Sequence, residues 1–285
     1  MKIIDAHIHY SNIQSFHQTA NERSLVQYSK GGYEQEFAQA NVVLSIAMGV
    51  TEVNQNGFPD NEAKTPMGVD LSEKKPNNVV YCLGINPYTL DQDALAAIEL
   101  NAQKPEVVGL KIYLGYYPFY AYDDVYKPVY ALAKKYNLPV VFHTGDTYSE
   151  RGLLKYSHPL TIDEVAVIYS DITFMIAHLG DPWTLTGAEI IYKNSNVYAD
   201  LSGLLVGTDK EIERLNQTNF FDHLRHAITF ADSYDKLLFG TDWPLVPVGP
   251  YIEFIKTFIP VEHHEKVFYL NALKVFPKIQ NFLKE

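Results

Sequence analysis

His7 and His9 stand two apart in IIDAHIHY, and residues at i and i+2 of a strand share one face, so the doublet presents two imidazoles side by side. His143 closes the run PVVFHTG, His178 closes TFMIAHLG, and Asp242 follows the run LLFGT before Trp-Pro. Imidazole nitrogen and carboxylate oxygen are the donors of a catalytic divalent metal site, which keeps one position open for water. Each piece alone is weak. A His-x-His doublet is common, a histidine behind an apolar run is ordinarily a satisfied core residue, and an aspartate before Trp-Pro can simply cap a turn. Together they mark the ends of successive short strands. If those strands are parallel and close into a barrel, all the ends meet on one face.

The spacing of apolar runs predicts strands at Ile3–His7, Val42–Met48, Val79–Ile85, Val107–Tyr113, Val140–His143, Thr173–His178, Val197–Leu201 and Leu237–Gly240. They are apolar at consecutive positions, as parallel strands covered on both faces require. Between them, helical patterns run over Asp91–Ala102, Val125–Tyr136, Ile162–Tyr169 and Lys210–Phe230. Eight strands alternating with helices favour an α/β fold of the (β/α)8 TIM-barrel type. A doubly wound sheet would usually carry a Gly-rich phosphate loop after a strand, and this chain has none. The polar segment from Glu52 to Asn78 is too long for a plain connection, so a helix or an excursion over the barrel mouth is expected there. From Glu262 onward the chain reads as a closing helix. No linker or repeat interrupts residues 1–285, which predicts one domain.

Composition narrows the function. An apolar content of 47% supports a sizeable core, and 23 Lys plus Arg against 34 Asp plus Glu give a formal charge of −11. That balance argues against nucleic acid and against anionic membrane surfaces as partners. No apolar run approaches the roughly 20 residues that span a bilayer. The first strand starts at once, with no signal peptide before it, so a cytoplasmic location is expected. The single cysteine, Cys82 in VVYCLGI, reads as inert packing.

The ordered set D-A-H-x-H, G-L-K, F-H-T-G, A-H-L-G-D-P and F-G-T-D-W-P resembles the amidohydrolase superfamily. The likeness is greatest to the branch called amidohydrolase family 2, with its metal-dependent hydrolases, lactonases and carboxylate decarboxylases. It spans nearly the whole chain. The resemblance implies a TIM barrel with its site at the C-terminal face, and a divalent ion held by His7, His9, His143 and Asp242. His178 would act beside that ion. Nitrogen and carboxylate donors suit Zn2+ first and also accommodate Mn2+, Fe2+ or Ni2+. Lys111 matches a strand-four position where some relatives carry a carboxylated lysine between two metals. The plainer expectation is a lysine that orients substrate or pairs with a carboxylate, with one metal per chain.

The chemistry implied is hydrolysis of an ester, lactone or amide of a small molecule by a metal-activated water. Asp242 would serve as ligand and base, and His178 would bond the developing oxyanion or orient the water. The alternatives are decarboxylation of a small carboxylic acid by the same residues and a non-catalytic metal-binding barrel. The loop after Lys111 carries Tyr113, Tyr116, Tyr117, Phe119 and Tyr120, which could stack on a flat substrate or pack the loop onto the barrel. Trp183 and Trp243 follow His178 and Asp242 and are expected beside the metal. Arg151 could clamp a substrate carboxylate or be a solvated surface residue. His158 reads as structural. His223 and His226 share a helix face away from the strand ends, His263 and His264 begin the last helix, and His17 lies in the first loop. Barrels of this kind often pair, so a homodimer is one open outcome.

Overall fold

Eight parallel strands lie hydrogen-bonded in sequence order: β1 (Ile3–Ile8), β2 (Val42–Met48), β3 (Val79–Ile85), β4 (Val107–Tyr113), β5 (Val140–His143), β6 (Phe174–Ile176), β7 (Val197–Asp200) and β8 (Leu237–Leu238). The computed structural model describes residues 1–53, 58–69 and 75–283. Helices cover the outside of the strands, and the result is the expected TIM barrel in a single domain. Ile4, Leu44, Val80, Val108, Val141 and Met175 form an inner apolar layer together with Val275, Phe276 and Ile279 of the closing segment. These strand residues sit near the strand starts, so the C-terminal segment plugs the bottom and leaves the strand ends for the site. Among the described residues no helix is long and apolar enough to cross a membrane.

The barrel shuts between β1 and the segment after β8. Ala6 donates to the Phe239 carbonyl (2.9 Å), Asp242 to the His7 carbonyl (2.8 Å), and His9 to the Trp243 carbonyl (2.7 Å). The buried Asp5 carboxylate clasps the same seam, taking the Thr241 hydroxyl at 2.6 Å and the Thr241 backbone N–H at 3.0 Å. Its pKa is pushed up to about 7 by burial, although the bonds from Thr241 and His7 pull the other way. Between Asp5 and Ile8, β1 carries Ala6 and His7 opposite a single residue of β2, Ile46. This extra residue bends the strand just where the histidine doublet begins.

Four expected strands, Val42–Met48 through Val140–His143, have the expected bounds. Two others end two residues early, at Ile176 instead of His178 and at Leu238 instead of Gly240. β6 finishes at Ile176 because His178 and Leu179 turn into the left-handed region (φ 61° and 49°), and β8 finishes before Asp242, which does the same (φ 59°). The expected helix Lys210–Phe230 is two helices, Asp209–Asn216 and Asp222–Ala231. Between them the Thr218 hydroxyl bonds the Leu215 carbonyl and accepts from the Phe220 N–H, taking over backbone groups a continuous helix would need. The predicted excursion after Glu52 has parts, 54–57 and 70–74, outside the described residues. Of the rest, Met67 exchanges two backbone hydrogen bonds with Gly84, and Phe58 packs over Tyr113, Tyr116 and Tyr117 at the barrel mouth.

Asp5→Ala should lower unfolding free energy by about 2–4 kcal/mol, because two buried donors of Thr241 lose their acceptor. Denaturant unfolding of the metal-free protein measures this, and a loss under about 0.5 kcal/mol would show that the seam closes without the clasp.

Candidate metal centre

The strand ends deliver five donor atoms to one small region. His7 Nε2 and His9 Nε2 both face Asp242 Oδ1, at 3.4 and 3.0 Å. His7 Nε2 and Asp242 Oδ1 are buried and make no hydrogen bond. His143 Nδ1 faces His178 Nε2 at 3.3 Å, and the His7 and His178 rings lie 5.0 Å apart. Four tetrahedral ligands at about 2.05 Å from an ion stand about 3.3 Å from one another. The His7–Asp242 and His9–Asp242 spacings match that edge, whereas His143 lies in neither close donor group. A bound cation would satisfy His7 Nε2 and Asp242 Oδ1, since buried polar atoms otherwise find partners.

Hydrogen bonds at the far side of three of the four rings, His7, His143 and His178, fix which nitrogen bears the lone pair, while His9 Nδ1 makes none. His7 Nδ1 donates to Asp200 Oδ2 at 2.8 Å, which leaves Nε2 bare. His178 Nδ1 donates to the Ser202 carbonyl at 2.9 Å, so its lone pair is on Nε2. His143 Nε2 donates to the Asp146 carbonyl at 2.9 Å, so its lone pair is on Nδ1. Two lone pairs therefore meet across the 3.3 Å gap between His143 and His178, a repulsive contact that a shared cation or proton relieves.

The surroundings of His7 and His143 favour the neutral ring. Burial, and next the charge of Lys111, lowers the His7 pKa to about 4. Burial and then His178 hold His143 well below the ordinary histidine value. Burial opposes ionisation of Asp242, but His9 and His7 outweigh it and keep the carboxylate well below its usual range. Neutral imidazoles and an ionised carboxylate are the forms that bind metal.

Asp200 is the residue the sequence reading missed. It is fully buried, and besides His7 it accepts from the His178 N–H (2.9 Å), the Ser202 N–H (3.1 Å) and the Ser202 hydroxyl (2.5 Å), all on Oδ1. Burial works against its charge, yet His7 and Ser202 hold it well below the normal carboxylate range. His7, His178 and Asp200 form a second three-residue group beside His7, His9 and Asp242, while His143 belongs to neither and joins through His178. The signal was present: Asp200 ends the run VYAD as Asp242 ends the eighth. Gly203 was missed too. A Cβ there would stand 2.6 Å from His178 Nδ1 and 2.8 Å from Asp242 Oδ2, so only glycine lets the segment after β7 press on both.

Above these donors lies a cavity of about 470 Å3. Phe16, Phe58, Tyr113, Tyr116, Tyr148 and Phe220 give it aromatic walls, and His9, His143, His178 and Asp242 reach it. Phe16 stacks on His9 at 4.4 Å and Tyr116 meets the His143 ring at 4.7 Å. Other expected pocket residues lie elsewhere. Trp243 is wholly buried behind the seam, packed on Tyr28, Tyr33 and Phe37, with Nε1 donating to Glu36. Trp183 stacks on His158 outside the cavity lining, and Arg151 is exposed and does not line it. Tyr117 lies behind the lining, its hydroxyl donating to the Asp60 carbonyl. Lys111 is fully buried beneath the donors, off the cavity lining, with Nζ making no hydrogen bond; burial lowers its pKa to about 8. His223, expected on a helix face away from the strand ends, reaches Asp181 at the cavity wall (2.7 Å).

The structure is a TIM barrel whose strand ends gather histidine and aspartate side chains that could hold a metal ion. The amidohydrolase family model matches residues 4–278, and the chain belongs to that family. No curated protein matches the chain. Solved structures do. An uncharacterized TIM-barrel protein from Bordetella bronchiseptica shares 18% identity at a TM-score of 0.70, with 98% of this chain and 100% of that one covered. A 5-carboxyvanillate decarboxylase from Novosphingobium aromaticivorans, complexed with manganese and a nitrobenzoic acid, shares 12% at 0.62, covering 97% and 96%. A probable 2-pyrone-4,6-dicarboxylic acid hydrolase from Acinetobacter baumannii shares 15% at 0.62, covering 97% and 100%. At these identities the likeness is one of fold.

Asp200→Asn tests the tautomer control. Three donors converge on Oδ1, so the new amide must turn its NH2 toward His7, forcing the His7 proton onto Nε2. Metal affinity by chelator competition should fall about 10–100-fold with little change in fold; unchanged affinity would remove Asp200 from metal binding. Gly203→Ala should likewise weaken binding and cost about 1–3 kcal/mol in unfolding free energy. Equal stability to the parent would mean the segment yields.

Proposed function

We propose that the chain is a metal-dependent hydrolase acting on an ester, lactone or amide of a small, ring-bearing molecule. The observation that carries this reading is the gathering of His7, His9 and Asp242, with His143 and His178 3.3 Å apart beside them, at the floor of an aromatic cavity. One divalent ion is expected, Zn2+ first, with His7, His9, Asp242 and His143 as ligands. Bound there, such an ion polarises a carbonyl and brings the pKa of a coordinated water to about 7.

The protein's own groups set the proton path. Asp242, held ionised, accepts the proton of the attacking water and returns it to the leaving oxygen or nitrogen. His178 carries its proton on Nδ1, tied to Ser202, so its Nε2 faces the site as an acceptor. It orients water or takes a proton before it can give one, which favours that role over donation to an oxyanion. Tyr113, with its hydroxyl donating to the Gly49 carbonyl, offers the substrate a ring face rather than a bond donor. Lys111, under the floor, supplies positive charge beneath Asp200 and Asp242 without touching substrate.

Decarboxylation is the second reading. The aromatic walls suit an aryl carboxylic acid, and one structure of the same fold is a 5-carboxyvanillate decarboxylase with manganese bound. In that case the C–C bond to the carboxylate breaks, its electron pair stays on the ring carbon, and His178 or Asp242 returns a proton there.

Protein purified without chelator should carry about one divalent ion per chain, lost in His143→Ala, by plasma mass spectrometry. The loaded protein is then offered aryl esters, lactones, anilides and hydroxybenzoates. Acid release without CO2 is the expected result, and Asp242→Asn should lose about 10^2–10^4 in kcat. CO2 release establishes the second reading. Full metal with no turnover across the panel would leave a metal-binding barrel without catalysis.

A further inference from the structure

His9 differs from the other three histidines of the site in what holds its ring. His7, His143 and His178 are each anchored at the far nitrogen, to Asp200, to the Asp146 carbonyl and to the Ser202 carbonyl. His9 Nδ1 is buried and makes no hydrogen bond. Rotation about the Cβ–Cγ bond of a histidine meets only broad preferences, so an unanchored ring can swing its Nε2 away from Asp242 Oδ1, 3.0 Å distant. What lies flat on the His9 ring is Phe16, with centroids 4.4 Å apart and planes 28° from parallel. The His7 ring meets His9 only edge-on, at 5.5 Å. Phe16 is itself held in place. It stands in the short helix Gln14–Thr19, on a loop that leaves β1 and returns to the barrel seam. The Tyr28 hydroxyl lies 2.9 Å from the His9 carbonyl and accepts from the Ser11 N–H at 3.0 Å, and the Ser24 hydroxyl donates to the Pro244 carbonyl at 2.6 Å. Tyr28 meets Phe16 edge-on at 6.5 Å and Trp243 at 4.8 Å, so the aromatic ring over His9 is braced against the closing joint.

We propose that Phe16 is the positioning residue of His9: its stacked face does for this ligand what hydrogen bonds do for the other three. With Nε2 turned to an ion, the neutral imidazole carries its proton on Nδ1, where the described residues offer no acceptor. Nothing polar then settles the angle of the ring. A planar neighbour does, because tilting or swinging the imidazole drives an edge into the aromatic face and gives up the stacked contact. An aliphatic side chain fills the same space and restricts the ring less. His143 supplies the contrast. Tyr116 meets its ring edge-on at 4.7 Å, but that ring already has its bond to the Asp146 carbonyl, so the aromatic contact is an addition there. At His9 the stack stands alone. This inference rests on the metal-centred reading above, which makes His9 a ligand. Phe16 also lines the cavity, so its role is read on the metal rather than on turnover.

Zinc affinity is measured by chelator competition for the parent, Phe16→Leu, Phe16→Ile, Phe16→Tyr, His9→Ala and the double variant that joins Phe16→Leu to His9→Ala. Both aliphatic variants should bind zinc about 3–10-fold more weakly, while Phe16→Tyr, which keeps the ring, stays within about twofold of the parent. His9→Ala should weaken zinc binding by itself. Adding Phe16→Leu to it should then cost nothing further, because the ring that Phe16 positions is gone. Parent affinity in both aliphatic variants, an equal loss in Phe16→Tyr, or a loss that repeats in full on the His9→Ala background would each overturn the inference and leave the metal reading intact. No zinc binding by the parent, or full affinity in His9→Ala, overturns the inference together with the place of His9 in the metal reading.

Discussion

The joint between the first and last strands governs the rest of the molecule. A barrel must close, and here the closing bonds come from the candidate donor residues: His7 lends its carbonyl to the Asp242 N–H, and the His9 N–H bonds the Trp243 carbonyl. Asp5 clasps Thr241 one residue before Asp242 and two before His7 in β1. Backbone closure thus fixes the distance between His7, His9 and Asp242 before any ion arrives. The cost is visible in the backbone. Asp242, His178 and Leu179 occupy the left-handed region without being glycine, at about 1–3 kcal/mol each. Such strain survives only where surrounding bonds over-determine it, as the Asp5 clasp and the Asp200 network do.

Asp200 gives the second level of control. One of its oxygens takes the His7 ring proton, and the other takes three donors from His178 and Ser202. Ser202 then receives the His178 ring proton through its carbonyl. A single buried carboxylate therefore sets the tautomer of one histidine directly and the posture of another through its neighbour. Preorganisation of this kind is what separates a ligand set from a mere cluster of histidines.

The apolar runs made the barrel legible, because strands covered on both faces leave long uninterrupted hydrophobic stretches. The candidate metal donors were legible for the same reason: a polar residue that ends such a run must be placed at the barrel mouth. Asp200 obeyed that rule and was passed over. The ends of β6 and β8 were misjudged where left-handed turns, invisible to hydrophobic periodicity, cut the strands short. The break at Thr218 was hidden similarly, since a hydroxyl competing for backbone bonds leaves no mark on the apolar pattern. Trp243 shows the limit of adjacency. It follows Asp242 in sequence, yet the turn that aims the carboxylate at the site sends the indole into the core against Tyr33 and Phe37.

The distribution of charge ties the levels together. Beneath the donors, the fully buried Lys111 faces Asp200 and Asp242, and its presence there offsets carboxylates that would otherwise repel one another. Below the floor, then, positive charge belongs to the protein. Above the floor the lining supplies acids and aromatic rings, and the described residues offer no cation. The clustered donors at the strand ends could hold a positive ion. A cavity built with that asymmetry sorts ligands by where they carry charge, and in a barrel of this kind that sorting falls to the loops while the strands hold the chemistry.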